Sequence, residues 1–172
     1  MRIPFLACLT FFVISLLCAG TAFPAEESAP TVAPTKIELP PIGAEVPLTR
    51  IKEICAFYGL HALWQKIERD PPVRPFKSDG CTGWFDEWNG VSLYPAGFLH
   101  DLKYWAGYPN EDVERLVADA ELMIDVARLL GSTKMAETMF HGVRVGGTDA
   151  LKTPFSWGFG RKSLPPAAAT SP

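Results

Sequence analysis

From Leu48 onward, apolar residues recur at intervals of three and four, the spacing that keeps one face of a helix dry. Ile51, Ile54, Cys55, Tyr58, Leu63 and Ile67 share such a face. The spacing predicts a first helix capped by Thr49 and running to about Arg69, where Asp70-Pro71-Pro72 stops it. Between positions 73 and 92 the period is lost. Gly80, Gly83 and Gly90, together with Asp79, Asp86 and Asn89, mark a long loop there, and a loop of that length in a small domain is more often functional than idle. A second helix is predicted from near Pro95, a residue suited to a first helical turn, to just before Gly107. Asn110 caps a third helix, with Glu111 and Asp112 in its first turn, Arg128 in its last and Gly131 just past its end. Ser132 opens a fourth helix reaching about Val143, closed by Gly146-Gly147. No stretch demands a sheet. The expected fold class is mostly α, a small helical domain built on an antiparallel hairpin of the second and third helices.

The ends of the chain lack this pattern. Arg2 precedes an almost unbroken apolar run from Phe5 to Leu17, and small residues follow at Gly20 and Ala22. The run is too short to span a membrane and reads as a secretory signal peptide over residues 1–22. The implied destination is the periplasm or the extracellular space, with no transmembrane segment in the mature chain. Residues 23–47 form a Pro/Ala-rich leader expected to be disordered, and 162–172 a tail of the same kind. The foldable part is 48–161, one domain.

Charge narrows the partners. The chain carries 16 Lys and Arg against 19 Asp and Glu, and loss of Arg2 with the signal leaves a formal charge of −4. That balance disfavours nucleic acid, which selects clustered cations. Any lipid contact must therefore be apolar or local. Of the four cysteines, Cys8 and Cys18 leave with the signal, while Cys55 and Cys81 enter a compartment that permits oxidation. One intrachain pairing is open to them, worth about 3 kcal/mol on a chain-entropy argument.

His100 and Tyr104 are four apart and share one face of the second helix, whereas Asp101 is turned about 100° away. On the third helix Leu116, Met123, Val126 and Leu130 are expected to form a buried stripe with Asp119 inside it. His100 lies about 9 Å before the end of its helix and Asp119 about 12 Å after the start of the next. Folding back through the Gly107–Asn110 turn makes the two nearly level. A carboxylate in an apolar stripe is costly unless paired, and an imidazole with a phenol one turn along supplies the pairing. That hydrogen bond could serve catalysis or simply fix how the helices pair.

"HDLKY" (100–104) followed by "AD" (118–119) resembles the signature of secreted phospholipases A2. The upstream "SDGCT" (78–82) is similar to the calcium loop of the bacterial and fungal branch, and "GVRVGG" (142–147) to the segment that closes its domain. The likeness covers roughly residues 76–147. It implies a phospholipase A2-like helical domain that uses Ca2+ to hydrolyse a fatty acyl ester of glycerophospholipids at a membrane interface. It implies His100 as general base, Asp119 as the group that orients and stabilises the imidazole, and Tyr104 as a support of that carboxylate. Asp79, the Gly80 carbonyl and Asp101 are the implied calcium ligands, an oxygen set of the kind that ion prefers. Family members usually carry a cysteine three residues before the histidine, bonded to the loop cysteine. Here that position is Gly97, which leaves Cys81 either paired with Cys55 or free. The alternative in function is a non-catalytic secreted module on the same scaffold, binding calcium, lipid or a protein.

Trp84, Phe85 and Trp88 crowd the loop and suit either core or a lipid interface. "PFSWGFG" (154–160) reads as a strap over the apolar face. His61 and His141 suit structural roles. Three scattered histidines and two cysteines show no paired zinc-ligand spacing, and no G-x-S-x-G elbow is present.

Overall fold

The computed structural model describes residues 36–148 and 159–160. The signal peptide, the first part of the leader, the tail and positions 154–158 of the expected strap lie outside the described residues. The described residues are mostly helical. In order they form α1 (Leu48–Phe57), α2 (His61–Arg69), β1 (Glu87–Trp88), β2 (Val91–Ser92), α3 (Tyr94–Ala106), α4 (Asp112–Leu130) and α5 (Thr133–Gly146).

The single first helix expected over 49–69 is in fact two. Gly59 adopts φ +71°, a conformation open mainly to glycine. Its neighbours close the end of α1, with Tyr58 N–H donating to Ile54 O at 3.0 Å and Leu60 N–H to Cys55 O at 2.7 Å. The chain turns there, and α2 restarts at His61.

The loop also departs from expectation, since it contains an antiparallel ribbon pairing Glu87 with Ser92 and Trp88 with Val91. Asn89 and Gly90 turn it with φ +50° and +78°. Two successive positive φ values are what a two-residue hairpin turn requires, and Asn-Gly is the commonest way to meet that need.

Part of the expected disordered leader is ordered. Residues 36–47 run against the domain, with Ile37 and Leu39 packed on the core and Val46 bridged to Phe76. Val46 N–H donates to Phe76 O at 2.9 Å and Gly43 N–H to Ser78 O at 2.8 Å. The boundary of the folded unit therefore lies upstream of Leu48.

Helix α3 is the centre. From Ala96 to Ala106 every residue but Lys103 is buried. One side packs with α1, α2 and Phe76, where Phe76 meets Phe98 edge-on at 5.2 Å. The other side faces a second apolar cluster that includes Leu93 and Ala96, with Leu122 and Val126 of α4 and Ala136 and Met139 of α5. Burying side chains of this size stabilises the fold by about 1.5–3 kcal/mol each. Helix α4 ends at Gly131 in the left-handed conformation, φ +62°. Its buried face is Arg115, Ala118, Asp119, Leu122 and Val126, so the expected stripe is out of phase at its start and Leu116 is 45% exposed. The N-cap of α4 is Glu111 and not Asn110, whose φ of +68° belongs to the turn before it. Cys55 and Cys81 are both free and buried, in separate apolar clusters; the disulfide is not formed.

Candidate active site

The α3–α4 hairpin brings together the residues that periodicity placed opposite one another. His100 Nε2 lies 2.8 Å from Asp119 Oδ1, and Tyr104 donates its hydroxyl to the same oxygen at 2.7 Å. Asp119 is 0% exposed, where an unpaired carboxylate would be strongly disfavoured. Its second oxygen is paired as well, because Arg144 of α5 donates Nη1 to Oδ2 at 2.7 Å. Arg115, one turn earlier on α4, donates Nε to the Tyr104 hydroxyl at 3.0 Å. Its Nη2 reaches the main-chain carbonyls of Val143 and Arg144 at 2.9 and 2.8 Å. Three helices thus converge on one carboxylate.

Burial alone would raise the Asp119 pKa, but the hydrogen bonds from His100, Tyr104 and Arg144 outweigh it and hold the group below the usual carboxylate range. Burial lowers the pKa of His100 against the pull of Asp119, which favours the neutral imidazole. An ionised carboxylate only accepts hydrogen bonds, so Nε2 carries the ring proton and Nδ1 is the basic nitrogen. Burial, then Asp119, push the Tyr104 phenol far up and keep it a donor.

Asp101 looks the other way, to the loop. It is 4% exposed and accepts a hydrogen bond from Ser78 Oγ at 2.6 Å. Desolvation first, then the charge of Asp79, raise its pKa well above the usual range, and the bonds it receives from Ser78 and the loop backbone do not offset this. Partial desolvation also raises Asp79, the more exposed of the pair. Gly80, at φ +78°, lays its carbonyl on α3, where a Cβ at Gly97 would meet it at 2.9 Å. Gly97 precedes Asp101 by four residues and shares its face. Among the described residues no group of three or more His, Cys, Asp or Glu gathers at a metal-binding spacing, so a cation here would need backbone oxygens. Asp79, Asp101 and the Gly80 carbonyl are oxygen donors of the kind a hard divalent ion takes.

A cavity of about 290 Å³ joins the two halves. Asp79, His100, Asp101 and Tyr104 contribute its polar lining, and Trp84, Leu122 and Met139 its apolar lining. All six residues expected at the site are therefore in or beside one pocket: Asp79, Gly80, His100, Asp101 and Tyr104 on its wall, Asp119 behind the imidazole. Phe85, 55% exposed, lies outside it, edge-on to Trp84 and tilted against Trp88. Trp105 is core, donating its indole N–H to Arg74 O at 2.7 Å. His61 and His141 are exposed and take no part. Phe159 packs edge-on to Tyr104 at 5.1 Å, and Gly160 N–H donates to Tyr104 O at 3.0 Å.

Sequence reasoning missed Ser78, Arg115 and Arg144. Arg115 was findable, since it lies four residues before Asp119 on one helix face. Ser78 and Arg144 lie within "SDGCT" and "GVRVGG" but reach the site from other elements, and no helical spacing ties them to His100 or Asp119. No protein-family model, no curated protein and no solved structure matches this chain.

Proposed function

We propose that this protein is a calcium-dependent hydrolase of the phospholipase A2 type, cleaving a fatty acyl ester of glycerophospholipids. The observation that carries the reading is the pairing of His100 with Asp119 at 2.8 Å while the next residue, Asp101, lines the same cavity as the loop carboxylate Asp79. One turn of helix thus offers a base and a cation ligand to a single substrate.

The residues divide the work as follows. Nδ1 of His100 takes a proton from a water molecule as its oxygen attacks the ester carbonyl carbon. Asp119 stabilises the imidazolium that results, and Tyr104 with Arg144 holds that carboxylate in place. The imidazolium returns the proton to the departing alkoxide of the lysophospholipid as the acyl C–O bond breaks. Asp79, Asp101 and the Gly80 carbonyl would hold calcium, which when bound polarises the ester carbonyl and stabilises the oxyanion. Trp84, Leu122 and Met139 suit the acyl chain, and Phe85, exposed beside the cavity, suits contact with a lipid surface. Export through the 1–22 signal would bring the enzyme to such surfaces.

The test is fatty-acid release from phospholipid vesicles. Release should require calcium, stop with chelator, and fall about 10²–10⁴-fold in His100→Ala. A clean preparation that releases nothing across lipid types and calcium levels rejects the reading.

A further inference from the structure

The dyad carboxylate has two oxygens, and they are used unequally. Oδ1 of Asp119 serves both His100 and Tyr104, and Oδ2 serves Arg144 at 2.7 Å. Helix α4 supplies a weaker partner, Arg115 Nε, 3.9 Å from the same Oδ2. A carboxylate held on one side only can rotate about its Cβ–Cγ bond and trade oxygens, because that torsion is broad and roughly two-fold. The Nη1 of Arg144 removes this freedom by holding Oδ2 while His100 and Tyr104 hold Oδ1.

We infer that Arg144 is a positioning residue: it locks the rotation of the Asp119 carboxylate so that Oδ1 alone meets the imidazole, and so makes the last turn of α5 part of the dyad. This rests on the hydrolase reading for its consequence in activity, but the lock itself is a property of the resting protein. The register of α5 is set by the same cluster, because Arg115 binds the carbonyls of Val143 and Arg144. Arg115 fixes where the end of α5 lies, and Arg144 transmits that position to Asp119. Arg144 is absent from the cavity lining, so its effect on substrate passes through Asp119. Its side chain is 27% exposed, enough for a small solute cation to reach a vacated site.

The experiment compares wild type with Arg144→Ala and Arg144→Lys in two readouts. The first is the downfield proton resonance of the hydrogen-bonded His100 ring N–H, assigned by its loss in His100→Ala. It needs no turnover, so it survives failure of the hydrolase reading. The resonance should broaden or vanish in Arg144→Ala, return when guanidinium ion is added at millimolar concentration, and stay unchanged with sodium at equal ionic strength. The second is kinetic. Arg144→Ala should lose about 10- to 100-fold in kcat with KM held within about twofold, guanidinium should restore part of the loss, and Arg144→Lys should keep less than half of wild-type activity because its shorter reach and freely rotating ammonium do not hold an N–H at Oδ2 in the same place. An Arg144→Ala protein that keeps both the resonance and kcat overturns the inference. So does one that loses them with no response to guanidinium, because that pattern means a general loss of structure. If wild type shows the resonance but releases no fatty acid, the hydrolase reading fails and the resonance arm alone decides the lock.

Discussion

The thiol of Cys81 rests so closely on Gly97 that a Cβ added there would lie 2.8 Å from the sulfur. That is close to the separation of about 3 Å between a Cβ and the far sulfur of a disulfide. The loop is seated on α3 by contact at the place where a covalent bond would fit. A Gly97→Cys variant under mild oxidation should bond to Cys81, seen as a mass loss of two hydrogen atoms and restored by reductant. Gly97→Ala has no such outlet and would press on the Gly80 carbonyl at 2.9 Å. It should lose about 1–3 kcal/mol of stability in a denaturant titration.

Burial pushes the Cys81 thiol up to about 12 and the Cys55 thiol up to about 11. Because the thiolate is the reactive form, neither should react with a disulfide reagent at pH 8 within the time that free cysteine reacts fully. Unfolding in guanidinium chloride should release both at once. A fast native reaction at either site would show that the loop or α1 opens readily.

The two buried aspartates should act on stability in opposite pH windows. Asp119 has a folded pKa below its unfolded value, so its contribution is present above about pH 4 and is lost as pH falls through the folded pKa. Asp101 has a folded pKa well above its unfolded value. Its proton is bound more tightly in the folded state, so without calcium stability falls as pH rises from about 4 toward the folded pKa. Asp101→Asn keeps an acceptor for Ser78 and removes the charge. It should match or exceed wild type in chelator at pH 7 and flatten the slope above pH 4, read as Tm against pH for the two proteins in parallel.

Calcium should reverse that order. A ligand that binds only the folded state raises stability by about 2.7 kcal/mol at 100 times its Kd. Wild type should therefore gain several degrees in Tm with millimolar calcium, and Asp101→Asn and Asp79→Asn should gain little. Equal gains in all three would move the ion elsewhere.

Much of this site could be read from spacing alone. His100, Tyr104 and Asp119 sit where a 3.6-residue period on two helices joined by a short turn puts them, and the ends of those helices carried their own marks at Pro95, Gly107 and Gly131. Two departures show that periodicity alone fixes neither where a helix breaks nor which face it buries. Leu63 and Ile67 keep step with Ile51 and Ile54, so nothing but Gly59 signalled that the helix ends and restarts. Leu116 keeps step with Met123 and yet lies outside the stripe, because the hairpin rotates α4 to bury Arg115 and Ala118 instead. Asn89-Gly90 is a hairpin signal, but strands of two residues on either side carry too little alternation to show in the sequence. Ser78 and Arg144 depend on how a loop and α5 dock, and docking leaves no local pattern.

The most direct trial of the hydrolase account follows the oxygen of the attacking water. Phospholipid vesicles hydrolysed by the protein in H2(18)O with millimolar calcium should yield fatty acid carrying one heavy oxygen from solvent, with His100→Ala at least about a hundredfold slower. Absence of labelled fatty acid from wild type, or equal labelling by His100→Ala, would contradict it.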